Sequence, residues 1–106
     1  MNIINCTPHP INLISQNGDE ISLPKGEVVP RLTQSTKQVD TINGISITET
    51  TFGETQDLPD YQEGTVLIVS RMILEANKDR NDLLVPNELV RDVGGNIIGC
   101  KSLARN

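Results

Sequence analysis

Three places in this 106-residue chain gather side chains able to do chemistry. The first is Thr7-Pro8-His9-Pro10, which sets the only histidine between two prolines. Proline locks φ and removes an amide donor, so the imidazole sits on a stiff loop with a fixed direction. That suits a general acid or base, or a donor to a phosphate. It also suits a rigid turn whose histidine contacts a neighbouring carbonyl. The second place is Glu49-Thr50-Thr51-Phe52-Gly53-Glu54. Hydroxyls and a glycine amide there could cradle an anion while Phe52 stacks on a ring. The competing reading is a strand end bulged at Gly53, with Phe52 filling the core. The third is the arginine set. Arg71 follows Ser70 at an expected helix start, where free amides attract phosphate, and Arg91 precedes the Gly94-Gly95 turn. Any one arginine is more often a surface ion-pair partner. The candidate ligand-binding residues are therefore Thr7, His9, Thr50, Thr51, Phe52, Ser70, Arg71 and Arg91.

Catalytic machinery is not visible. The chain has no Gly-x-x-x-x-Gly-Lys loop, no Gly-x-Gly-x-x-Gly, no Gly-x-Ser-x-Gly and no His-Glu-x-x-His. Asp79-Arg80-Asn81-Asp82 is too short for a calcium loop and is interrupted by a cation. Cys6 and Cys100 stand singly, and one histidine cannot complete a zinc site with them. No metal or cofactor is expected. The two cysteines read as small buried apolar residues in strands, with free thiols.

Charge and composition limit the partners. The net charge is −5, from 14 acids against 9 bases, which argues against direct binding to a nucleic-acid backbone. The charge is uneven. Residues 38–70 carry Asp40, Glu49, Glu54, Asp57, Asp60 and Glu63 and no base. No run approaches the roughly 20 apolar residues that a membrane helix needs. Met1-Asn2-Ile3-Ile4-Asn5 lacks a basic region followed by an apolar core, so a cytoplasmic location is expected.

The elements that position these groups read mostly as strands. Aromatics are one Phe and one Tyr, and the apolar set is nearly all Ile, Leu and Val. Short strands are expected over Ile3–Cys6, Ile11–Ser15 and Glu20–Leu23, separated by Pro and Gly turns. Val28–Thr33 reads as an edge strand because Pro30 lies inside it. Gln38–Ile42 and Ile45–Thr51 flank Asn43-Gly44, the favoured tight-hairpin pair, with Ile45, Ile47 and Glu49 on one face. Asp57 to Gly64 reads as a loop. Thr65–Val69 is a continuous apolar run, the best candidate for a strand buried on both faces. A helix over Arg71–Lys78, capped by Ser70, carries Met72, Ile73 and Ala76 as its stripe. Leu83–Val85 reads as a strand ending at Pro86, and Leu89–Val93 with Asn96–Lys101 as a second hairpin. The expected fold is mainly β (α+β): one domain over 1–106, a compact twisted sheet or small barrel of about eight short strands with one short helix.

Several fragments, in order, make a longer pattern. They are Thr7-Pro8-His9, Thr50-Thr51-Phe52-Gly53-Glu54, Leu58-Pro59, Gly64-Thr65, Ile68-Val69-Ser70, Leu84-Val85-Pro86, Leu89-Val90-Arg91-Asp92 and Gly95-Asn96-Ile97-Ile98-Gly99. The pattern resembles a family of small proteins from phages, prophages and bacterial genomes, and it spans nearly the whole chain. Similar chains often read Gly-Leu-Pro where this one reads Asp57-Leu58-Pro59, which puts one turn in question. The resemblance carries no catalytic assignment. It implies a setting in which small phage proteins bind something belonging to the host, often to counter its defences.

Within that setting the expected function is sequestration of a phosphorylated, nucleotide-type ligand without catalysis. Because so small a domain has little room for a closed pocket, a homo-oligomer is expected, with the pocket between subunits. The alternative is an acidic inhibitor of a host defence protein, with Asp57, Asp60 and Glu63 mimicking phosphates. Two further readings are a small enzyme using His9 as acid or base with Glu54 assisting, and a phage structural component.

Overall fold

A computed structural model describes residues 1–106. Eight strands and one helix follow in order: β1 (Asn2–Asn5), β2 (Ile11–Ile14), β3 (Glu20–Leu23), β4 (Arg31–Ile42), β5 (Ile45–Gln56), β6 (Thr65–Ile68), α1 (Arg71–Ala76), β7 (Leu83–Arg91) and β8 (Ile97–Ala104). The mainly β class holds. Six strands form one sheet in the order β1-β6-β7-β8-β2-β3, and β4 with β5 forms a separate two-stranded ribbon.

The sheet curls into a nearly closed barrel. β1, β6 and β7 run parallel, β8 returns antiparallel to β7, and β2 lies parallel to β8. The two outer strands are drawn together at one end by the polypeptide that leaves them. Gly26 donates its amide to the Thr7 carbonyl at 2.7 Å, and the Asn5 side chain donates to the Pro24 carbonyl at 2.9 Å. Only glycine fits at position 26, because a Cβ there would run into the Asn5 carbonyl oxygen.

Thr65–Ile68 is buried along its whole length between β1 and β7, as a continuous apolar run between two parallel neighbours requires. Its side chains feed two core clusters. Leu67 and Val69 pack with Cys6, Ile73, Leu74, Leu83 and Val85, while Ile68 packs with Leu13 and Cys100. Burial of each such side chain contributes about 1.5–3 kcal/mol. The two free thiols belong to different clusters, and burial pushes both up from their ordinary value.

The helix is shorter than expected and ends at Ala76. The Asn77 side chain donates to the Ile73 carbonyl and to Thr55 Oγ1, both at 2.9 Å, and so occupies the place of a further turn. Its buried residues are Ile73 and Leu74, while Met72 is half exposed. With under two turns, only one narrow face reaches the core. The strand expected to stop at Pro86 continues to Arg91. Past Leu84 the β6 partner has ended, so the proline nitrogen faces an unpaired edge and costs no ladder bond.

The largest difference from expectation is the hairpin. The turn is at Asn43-Gly44, both at positive φ, but each arm runs twelve residues instead of five to seven. The extra length begins right after Pro30 and takes in the threonine-rich stretch and Phe52-Gly53-Glu54. Two register shifts, near Thr33 and near Val39, bend the ribbon. The first places Gly53 and Glu54 opposite Thr33, and a Cβ on Gly53 would strike the Thr33 hydroxyl. The bulge at Gly53 is present, but Phe52 is half exposed and fills no core. The ribbon is seated on the body at its root, where Leu32 packs on the core and Asn77 bonds Thr55. The remainder projects, and the radius of gyration is 17.1 Å against about 13 Å for a globule of this length.

Asp57, in the turn left in question by the sequence, lies at φ 61° directly after β5. Aspartate is one of the few non-glycine residues that tolerate this region, so the turn is kept.

Candidate functional site

Parallel pairing decides which loops meet. β1 and β6 run side by side in register, Asn5 opposite Ile68, so the loops leaving their carboxyl ends emerge together. One loop is Thr7-Pro8-His9-Pro10 and the other is Val69-Ser70-Arg71. With β7, β8 and the ends of β2 and β3 they enclose a cleft of about 640 Å³. Its floor includes Val69, Val85 and Cys100, all buried. Its walls include Leu89, Ile97 and Ile98, each about half exposed.

Four of the eight expected site residues line this cleft: Thr7, His9, Ser70 and Arg71. Two of these have their hydroxyls engaged inside the fold. Thr7 is buried and donates to Asn5 Oδ1 at 2.6 Å. Ser70 Oγ accepts from the Ile73 amide at 3.4 Å as the helix cap. Both are structural supports of the cleft. His9 and Arg71 are exposed along it. The chain's two ion pairs are Arg31–Asp57 and Arg80–Asp82, so neither His9 nor Arg71 is neutralised by a carboxylate.

The residue that holds the histidine loop was not singled out from sequence. Asn5 donates its amide to the His9 carbonyl at 2.7 Å and to the Pro24 carbonyl at 2.9 Å, and its Oδ1 accepts from the Thr7 amide at 2.9 Å. One buried side chain therefore satisfies three separate backbone positions and ties β1, the His9 loop and the chain after β3 together. The available signal was an asparagine two residues before a Thr-Pro turn, where an Asx-type bond to the backbone is common. The apolar walls at Leu89, Ile97 and Ile98 were also missed. They fell within an expected hairpin, and alternation does not say which face lines a recess.

The other expected residues lie elsewhere. Thr50, Thr51 and Phe52 are on β5, in the ribbon, and do not line the cleft. Adjacent threonines in a strand point to opposite faces, so they cannot form one cradle. Thr50 faces Thr36, hydroxyl to hydroxyl at 3.1 Å. Arg91 donates to the Gly95 carbonyl at 2.9 Å and braces the β7–β8 turn, away from the cleft lining. Glu54, the expected assistant of His9, is also on β5 and outside the cleft.

The acidic third is likewise divided between places. Asp40, Glu49 and Glu54 are on the ribbon, Asp57 faces Arg31 at 4.0 Å, and Asp60 adds to the negative field at Arg80. Arg80 itself is bidentate to Asp82, with both contacts at 2.8 Å, and donates to the Pro59 carbonyl at 2.9 Å. The Arg80 bond holds the buried Asp82 carboxyl below the ordinary carboxylate range.

No helix is long and apolar enough to cross a membrane, and no cluster of three His, Cys, Asp or Glu side chains is placed to hold a metal ion. No protein-family model, no curated protein and no solved structure matches the chain.

Proposed function

We propose that this chain is a small binding protein whose cleft sequesters a phosphorylated ligand without altering it. In the phage or prophage setting that the fragment pattern implies, the ligand is a nucleotide-type signal of host defence, withdrawn in the cytoplasm. The observation that carries the reading is the cleft itself: an aliphatic recess of about 640 Å³ flanked by Arg71 and His9, two groups left without acidic partners. That volume lies in the range that takes most of a small molecule. Arginine offers a phosphate two parallel N–H donors, and an imidazole adds a third. The aliphatic walls add about 25 cal/mol for each Å² of apolar ligand surface they cover. The cleft holds no Phe, Tyr or Trp, so its aliphatic walls recognise the body of the ligand mainly by shape. Binding is favoured over turnover because the carboxylate that could assist His9, Glu54, stands on the ribbon.

Calorimetric titration with nucleoside monophosphates, cyclic dinucleotides and nucleotide sugars, well above micromolar concentration, tests the reading. Heat is expected from at least one of them, with the ligand recovered chemically intact. Arg71→Ala should weaken that binding by about tenfold or more, the loss of one charge-assisted contact. His9→Ala should weaken it less. Silence from every phosphorylated ligand, or equal binding by Arg71→Ala, overturns the proposal. Conversion of the ligand overturns the non-catalytic part of it.

A further inference from the structure

An isolated two-stranded ribbon is marginal in water. Here β4 and β5 form one of twelve residues a side that is exposed along nearly all its length. Its two faces differ. Residues directly opposite one another share a face, and alternate residues along a strand do too. One face is polar from the tip to Thr50, where Thr36 meets Thr50 at 3.1 Å and Ser46 donates to Gln38 at 3.3 Å, and its one large apolar side chain is Phe52, nearer the root. The other carries Ile45, Ile47 and Glu49 on β5 opposite Ile42, Asp40 and Lys37 on β4. Its isoleucines are 67%, 37% and 56% exposed at Ile45, Ile47 and Ile42. Exposed apolar side chains clustered at the end of a projecting element mark a contact surface.

We propose that this face is covered by the same face of a second copy, with the two ribbons stacked in the same direction and their tips together. Charge selects both the occupant and the direction. Lys37 and Glu49 lie across one rung, and neither belongs to an ion pair of its own chain. A two-fold axis running along the ribbons sets β4 of one copy over β5 of the other. Lys37 then lies over the second copy's Glu49, Glu49 over its Lys37, and Ile42 over its Ile45. Stacking in opposite directions about the isoleucines sets β4 over β4 and brings Asp40 against its own copy. The surface is large enough. A twelve-residue ribbon is roughly 40 Å by 10 Å. Two such faces together cover an area of the order of the ~1,000 Å² that separates specific interfaces from incidental contacts. Because the contact is isologous it closes at two copies.

Sedimentation of the purified 106-residue chain, from low micromolar to several hundred micromolar, tests the proposal. A monomer–dimer equilibrium is expected. Lys37→Glu and Glu49→Lys should each weaken association by about tenfold or more, and the double swap should restore it. Ile45→Glu should leave a monomer with an unchanged circular-dichroism spectrum and the melting temperature that the wild type shows at concentrations where it is dissociated. A mixture of Ile42→Cys and Ile45→Cys chains should form an interchain disulfide faster than either variant alone. A monomer at every concentration overturns the proposal and assigns the face to a different partner. A dimer indifferent to Ile45→Glu, or a double swap that fails to rescue, overturns it as well.

Discussion

The curled sheet and the ribbon draw on the same side chains and put them to opposite use. In the body, Ile68, Leu74 and Leu83 are inaccessible to solvent or nearly so, because strands lie on both sides of β6 and a helix covers the sheet. In the ribbon, Ile42, Ile45 and Ile47 share one face but have no second layer to pack against. Apolar patterning thus describes a face, and the presence of an opposing layer decides whether that face is buried. The cleft shares features of both regions: its floor is core, and its walls are exposed aliphatics beside His9 and Arg71.

The sharpest way to break this contrast is to empty equivalent volumes in each region. Leu74→Ala should cost about 2–5 kcal/mol, measured by urea unfolding, because the helix and sheet around it relax only in part. Ile45→Ala, which removes exposed side-chain carbon, should change the unfolding free energy by less than about 0.5 kcal/mol in the monomer. Comparable losses at the two sites would mean that the ribbon face is already covered within one chain.

A smaller effect is expected at the root of the loop before β7. Arg80→Ala leaves the Asp82 carboxylate buried without its partner and should cost about 3 kcal/mol near neutral pH. In the wild type, the carboxyl has a folded pKa below its unfolded value. The stabilisation from the pair is therefore complete above the unfolded pKa, about 4, and disappears as pH falls through the folded value. In Arg80→Ala burial raises that pKa instead, so stability should fall as pH rises through the carboxylate range. Unfolding curves collected from pH 2 to pH 7 on both chains would read the reversal of slope.

The smallest of the three is Asn5→Ala. It removes the bonds that tie the His9 carbonyl, the Thr7 amide and the Pro24 carbonyl together. A loss of about 2 kcal/mol is expected, since the His9 and Pro24 carbonyls are only part-buried and recover some hydrogen bonding from water, while the Thr7 amide is left buried without its partner. Hydrogen exchange should quicken at Gly26, whose amide bonds the Thr7 carbonyl, while the Asn43-Gly44 end of the ribbon stays unchanged.

Local signals were reliable where one element decided the outcome. Asn43-Gly44 marks the hairpin tip, Ser70 the helix cap, Glu20–Leu23 a strand with the expected bounds, and Thr65 to Ile68 the strand buried along its length. They were misleading where an absent or added neighbour mattered. Pro86 reads as a stop only if both edges of the strand are paired, and Met72 reads as core only if the helix has more than one buried face. Of the candidate site, His9 and Arg71 were legible as chemically useful side chains. Their meeting was not, and neither was the separation of Thr50, Thr51 and Phe52 from them.

Composition and residue order were sufficient for the mainly β class, the hairpin tip and the stiffness of the histidine loop, because each depends on φ preferences and alternation within a few residues. Which loops share a cleft, and which apolar face lacks a cover, follow from the parallel register of β1 with β6 and from the ribbon's position outside the sheet. Those are contacts between segments distant in the chain, set by how all the strands pack at once, and no local preference encodes them.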